Sequence, residues 1–197
     1  MRPDFLFESY ETESLKTLSL WAQCRGFDLD ARHDSKARSP REHFVHQCLS
    51  EHGWMVNMLG IDCGEPALPK EESLVAFIQH YARATQGRLA NLKTRSSAWF
   101  DDEVSFFELQ RSRSWVLLRR MTHNAHHRGQ LNAFLRAEKA KLFSTYGPTA
   151  DTGGLAPNGG KVIYPWPDLD ALLSAVDNGD PPGPLPGPGD LPSTERP

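Results

Sequence analysis

Three of the chain's eight histidines lie within five positions of one another in "MTHNAHHRGQL", residues 121–131. His123 and His127 are four residues apart, and in an α-helix that spacing separates side chains by only about 40° around the axis. Both imidazoles then leave one face, the spacing used by zinc ligands carried on a helix. His126 falls about 60° outside that stripe and is read as a neighbour of the pair or a group supporting it. Two ligands on one turn rarely hold a metal strongly, so a third must come from another element. His46, in "EHFVHQCLSE" between the apolar positions Val45 and Leu49, is the best placed. His43 and His52 replace it if the helix is out of phase by a position. From the residues alone, a solvated or hydrogen-bonded histidine pair stays open as the alternative. Gly129 within the same helix costs about 1 kcal/mol relative to alanine and suggests close approach of another helix.

Other residues have weaker claims. Gln130 and Arg128 could support a ligand or touch a substrate, but a polar face pairing with glutamates is the preferred reading for both. Glu51 has the chemistry of a general base, although an exposed helix glutamate is the simpler reading. Tyr146 and Asp151, in a glycine-rich segment, either border a metal cavity or belong to a loop that wraps the helices. Cys48 is read as a small buried side chain, and His33 as solvated. The five tryptophans are taken as core and interface material, with Trp21, Trp54 or Trp115 as candidates for a dimer face.

These side chains need helices to hold them. "SYETESLKTLSLWAQCR", 9–25, places Leu15, Leu18 and Ala22 on one side, with Gly26 as a stop. "SPRE" is a strong helix start: Ser39 as N-cap, Pro40 at the first position and Glu42 completing a capping box. That helix should run to about Gly60, with Val45, Leu49, Val56 and Leu59 inward. A third helix, 72–93, repeats Leu74, Phe77, Ile78, Tyr81, Leu89 and Leu92 at helical intervals. The stretch from Trp99 to Leu109 reads equally as extended chain or a short helical turn. The fourth helix, about 111–139, packs through Trp115, Leu118, Met121, Leu131, Phe134 and Leu135 and carries the opening motif. A long Gly/Pro-rich loop follows, then a short closing helix capped by Asp168. The predicted fold is all-α, an antiparallel four-helix bundle over residues 1–177, with 178–197 a disordered Pro/Gly-rich tail.

The totals narrow the function. A chain of 197 residues with net charge −3 and pI near 6.2 has no basic stripe for phosphate neutralisation, so nucleic acid is not expected as a partner. No run of about 18 apolar residues predicts a membrane span. Three cysteines cannot all pair, and no signal segment is apparent at the N-terminus, which fits a reduced, cytoplasmic setting.

"HNAHHRGQL", "EHFVHQCLSE" and "STYGPTADTGGLAPN", in this chain's order, resemble the DinB-like (DinB/YfiT) superfamily of small metal-dependent enzymes over about Phe5 to Val176. The resemblance implies a bundle in up, down, down, up order, usually a homodimer, with a divalent metal held by His46, His123 and His127. The polar "AEKAKLF" and the proline-rich end depart from the family pattern without touching those ligands. Three neutral imidazoles leave a position on the ion open, as catalytic centres do. Zn or Ni is the first expectation, with Fe or Mn next. Such an ion can activate water or a thiol. Relatives that use low-molecular-weight thiols of the bacillithiol, mycothiol or glutathione type point to an S-transferase acting on a small-molecule substrate. A metal-dependent hydrolase, and a non-catalytic metal-binding protein of the DNA-damage or stress response, are the alternatives.

Overall fold

The computed structural model describes residues 4–190 and 192, and the chain over these residues is mostly helical with one small sheet. Helix α1 spans Asp4–Ala22, α2 Pro40–Gly53, α3 Leu74–Lys93, the short α4 Ser97–Asp101, α5 Arg113–Ala137 and α6 Leu169–Asn178. Strands β1, Glu103–Phe106, and β2, Leu109–Ser112, pair antiparallel between α4 and α5. Among the described residues no helix is long and apolar enough to cross a membrane.

Hydroxyl or carboxylate caps start five helices. Ser39, Ser73, Ser96, Ser112 and Asp168 each accept a hydrogen bond from a backbone N–H in the first turn, which satisfies a donor the helix itself leaves orphaned. At α2 the capping box is complete: the Ser39 backbone N–H donates to Glu42 Oε2 at 2.9 Å, and Ser39 Oγ accepts from the Glu42 N–H. The helix expected to reach Gly60 instead leaves α geometry at Gly53 and continues as one π-helical turn, Trp54–Met58. Helix α1 begins five residues earlier than its apolar spacing predicts, because Leu6 and Phe7 are buried and extend the packed face.

The ambiguous 99–109 stretch resolves into the end of α4 and a tight hairpin. Phe107 takes the left-handed turn position at φ 53°, costly for a bulky residue. Its ring is held edge-on to Phe106 and Trp54.

Helix α1 packs along α3 and α5, and α2 lies against α5 and α3. The apolar interior falls into two clusters. One gathers Leu18, Trp21, Phe44, Phe77, Tyr81, Leu131 and Leu172. The other gathers Leu6, Tyr10, Met55, Leu92, Val116, Leu117 and Met121. Trp21, fully buried against Phe44 and Tyr81, is core and unavailable to a dimer face.

Two predicted faces are rotated. On α2 the buried positions are His43, Phe44, Gln47, Cys48 and Glu51, while Leu49 is 46% exposed. On α5, Leu118 and Trp115 face outward, and Val116, Leu117, Arg120, Asn124, His127 and Arg128 face inward. The reason is shared: both helices bury polar side chains that bond to one another, which hydropathy spacing reads as solvent-facing. Gly129 is not a close-approach point, since a Cβ there would meet nothing within 4 Å. Gly87 is one, its missing Cβ lying 2.9 Å from Cys63 Cβ.

The segment after α5 closes on itself: the Ser144 N–H donates to Ile163 O and the Ile163 N–H donates to the Ser144 hydroxyl, Oγ, both at 2.9 Å. Of the expected tail, residue 191 and residues 193–197 lie outside the described residues. Its described part runs back over the body, where Gly187 pairs with Thr152 and its N–H donates to Asp151 O at 2.9 Å.

Candidate metal centre

His46 on α2 meets His123 and His127 on α5. One ring nitrogen from each lies within 4.8 Å of the other two, and no fourth histidine, cysteine or carboxylate joins the group among the described residues. The rings of His46 and His123 both stand 4.5 Å, centroid to centroid, from that of His127. His123 and His127 approach through Nε2 atoms 3.3 Å apart. Bonds of about 2.0–2.1 Å to a tetrahedral ion set neighbouring ligand nitrogens about 3.3 Å apart, so this pair already has the spacing a zinc-sized ion needs.

Hydrogen bonds orient the rings. His127 Nδ1 lies 2.9 Å from Gln130 Oε1, an atom that can only accept, so Nδ1 carries the proton and Nε2 offers its lone pair to the cluster. Gln130 therefore supports His127, a role for which the simpler reading had been a plain polar face. On the other side Arg120 Nη1 donates to His123 Nδ1 at 2.7 Å. A guanidinium only donates, so in this arrangement His123 carries its proton on Nε2 and points it at His127. For His123 to offer Nε2 to an ion, that proton must move to Nδ1 and the Arg120 bond must give way. Arg120 would keep its other partners.

Burial sets the charge state. Desolvation, with the neighbouring charges of Arg120 and His46, lowers the His123 pKa to about 4. Desolvation and the other two histidines lower His127 to about 3. His46 is lowered by desolvation and then by Arg38 and Arg120. All three are neutral at pH 7, the form in which an imidazole binds a metal.

Behind the histidines lies a buried polar network that the sequence did not suggest. Glu51, expected as an exposed helix glutamate, has no exposed surface. Its carboxylate accepts from Arg120 Nε at 2.5 Å, Tyr10 OH at 2.7 Å, Tyr81 OH at 3.2 Å and Asn124 Nδ2 at 3.3 Å. Burial pushes its pKa up, but Arg120 and Arg88 outweigh that and hold it below the ordinary value. Tyr10 and Tyr81 belong to the two different apolar clusters, so this carboxylate joins them while fixing Arg120 beside His123. The legible signal was polar residues at i, i+4, i+8: His43, Gln47, Glu51 on α2 and Arg120, Asn124, Arg128 on α5.

The remaining candidates separate. His126 is exposed, with its ring 5.0 Å from that of His127. His43 is buried 5.5 Å, ring to ring, from His127 but outside the group of three. Arg128 pairs with Glu13 and also donates to Thr17 Oγ1 at 3.2 Å, tying α5 to α1. The Lys16 and Arg128 cations lie over the Tyr146 ring, 4.8 and 5.0 Å from its centroid. Asp151 accepts from the Leu142 N–H at 2.9 Å and pairs with Arg136 at 2.7 Å. Cys48 is buried, and desolvation raises its thiol to about 12, so it is no nucleophile at neutral pH. His33 is exposed, with its Nε2 3.3 Å from Glu138 Oε1.

Comparison with known proteins identifies a family and a shared fold. The model of the DinB family matches residues 5–150. A DinB-like protein from Bacillus cereus ATCC 10987 superposes with a TM-score of 0.63 at 14% identity, covering 73% of this chain and 97% of that one. The DinB-like protein YjoA from Bacillus subtilis superposes with a TM-score of 0.54 at 18% identity, covering 68% of this chain and 91% of that one. No curated protein matches the chain.

Proposed function

The chain belongs to the DinB family, and from that premise we propose that it is a metal-dependent enzyme that transfers a low-molecular-weight thiol of the bacillithiol, mycothiol or glutathione type to a small electrophilic substrate. The observation that supports this most is the convergence of His46, His123 and His127 with no fourth protein donor among the described residues. A divalent ion there, Zn or Ni first and Fe or Mn next, would stabilise the anionic form of a thiol on its open side.

The chain's own residues hold and shield the centre. His127 is kept in the ligating tautomer by Gln130. Arg120, its charge balanced by Glu51, stands beside His123. The Trp54 indole stacks on the His123 ring at 5.8 Å, and the Phe106 ring packs edge-on to Trp54, limiting water on that side. In the transfer a thiolate sulfur attacks the electrophilic carbon, a C–S bond forms, and the leaving group departs with its electron pair.

The same reading takes α1, α2, α3 and α5 as an up-down-down-up four-helix bundle, supported by α1 packing on α3 and α5 and α2 on α5. It takes residues 1–177 as the domain and the protein as a cytoplasmic homodimer that engages neither nucleic acid nor membrane. Half-exposed Trp115 and Trp54 remain available to a dimer face. The test is consumption of bacillithiol, mycothiol or glutathione with monochlorobimane by protein loaded with each metal in turn. Metal-dependent acceleration that is lost in His46→Ala is expected. No acceleration with any thiol and any of the four metals would eliminate the transferase.

A further inference from the structure

Next to the three histidines a cavity of about 610 Å³ opens between residues 32–43 and the second half of α5. Gln130 and His43 both line it, and both stand against His127, Gln130 through its hydrogen bond and His43 with its ring 5.5 Å away. The cavity and the histidine cluster thus share a wall. Its lining also includes the apolar Ala133, Phe134 and Ala137.

Its lining is strongly basic. Arg32, Lys36 and Arg38 face one carboxylate, Glu42, which is already engaged by Arg32 at 2.6 Å and by the Ser39 cap. The Lys36 and Arg38 side chains make no hydrogen bond or ion pair among the described residues. Neither cation is therefore held in an ion pair, and the Arg38 charge bears on both His43 and His46. A second observation is independent of charge. His43 is 5% exposed, yet its Nδ1 has no hydrogen-bond partner. Buried polar atoms are rarely left unsatisfied, so a partner for this imidazole is missing.

We propose that this cavity binds the anionic group, a carboxylate or a phosphate, of the small molecule whose reacting end lies at the three histidines. Arg38 and Lys36 supply the opposing charge and His43 a hydrogen bond. A guanidinium fork suits either oxyanion, and the apolar part of the lining accepts the aliphatic part of the ligand. The inference deepens the thiol-transfer reading and rests on it only for where the reacting end lies.

The experiment uses full-length, metal-stripped protein, so its outcome is independent of whether an ion or a turnover is found. The protein is titrated calorimetrically with ophthalmic acid, the glutathione analogue that has two carboxylates and no thiol, and separately with inorganic phosphate, each at low and high salt. Saturable, salt-sensitive binding of at least one is expected. The preferred probe names the source of the anion. Lys36→Gln with Arg38→Gln should weaken it about tenfold or more, with the fold unchanged by circular dichroism, while Lys161→Gln on a distant surface should not. Failure of both anions to bind the wild type, or undiminished binding by the double variant, overturns the proposal.

Discussion

His127 is the most constrained of the three imidazoles: it is nearly buried, its ring lies 4.5 Å from each of the other two, and its Nδ1 is fixed by Gln130. Replacing it should therefore remove the metal altogether. His127→Ala, purified without a histidine tag, should hold far less than one ion per chain by mass spectrometry, whereas exposed His126→Ala should hold as much as wild type. Equal metal in both would falsify the centre. Gln130→Ala should keep the ligands but lose the orienting bond, weakening affinity by about 10- to 100-fold. The pH dependence follows from the lowered pKa values. An ordinary imidazole begins to compete with the metal for protons near its unperturbed pKa of about 6.5. With His123 at about 4 and His127 at about 3, metal affinity should stay nearly level well below that point and then fall. For the metal-free protein the sign is the same. The unfolded chain binds more protons than the native one between about 6.5 and 4, so stability is full above that window and declines as pH falls through it. Urea midpoints taken across the window check this; a midpoint that rises on acidification would contradict it. The HxxxH spacing was legible because helical geometry is local. His46 was legible through the family resemblance, since Leu49, one of the two apolar neighbours that recommended it, is exposed. The Gln130 bond was not, since whether a side chain turns toward its neighbour three residues earlier depends on space that only packing defines.

At the scale of elements, the starts of the helices could be read and their faces could not. Ser39, Pro40 and Glu42 carry the α2 start entirely within four residues. Which side of α2 is buried depends instead on Arg120, Tyr10 and Tyr81, between 30 and 69 residues away in sequence from the Glu51 they bond. This long-range pairing permits a glutamate inside while Leu49 stands outside. Removing one partner should then be severe: Glu51→Ala leaves a fully buried guanidinium unpaired and should cost about 3–5 kcal/mol by chemical denaturation. Replacing both Glu51 and Arg120 by leucine should cost less than Glu51→Ala alone. A small effect of the single substitution would mean that the network does not join α2 to α5. Gly129 gives the opposite expectation. With nothing within 4 Å of its missing Cβ, Gly129→Ala should stabilise the protein by about 1 kcal/mol and leave metal content unchanged. A destabilised variant would show that the glycine is needed for something its static surroundings do not reveal.

Across the whole molecule, α5 links the parts. It supplies Val116, Leu117 and Met121 to one apolar cluster and Leu131, Phe134 and Leu135 to the other, with the histidines and Arg120 between them. The histidine cluster is therefore built on α5 and α2 and not on the chain's last segment. That segment covers a different feature: Pro181 to Leu185 close a cavity of about 430 Å³ lined by Phe27, Phe143 and Trp166, and Arg25 Nη1 donates to Gly179 O at 2.8 Å beside it. Removing residues 181–197 should open these aromatic side chains to water without reaching the histidines. Apolar cover of this size contributes about 1–2 kcal/mol, which for a chain of this length lowers the thermal midpoint by about 2–8 °C. The Trp166 emission should move to the red, isolated by comparison with the same truncation carrying Trp166→Phe. Metal content and affinity should match the full chain. Loss of the metal on truncation would show that the two ends of the molecule are coupled through α5, and an unchanged midpoint would show that the proline-rich segment contributes no cover.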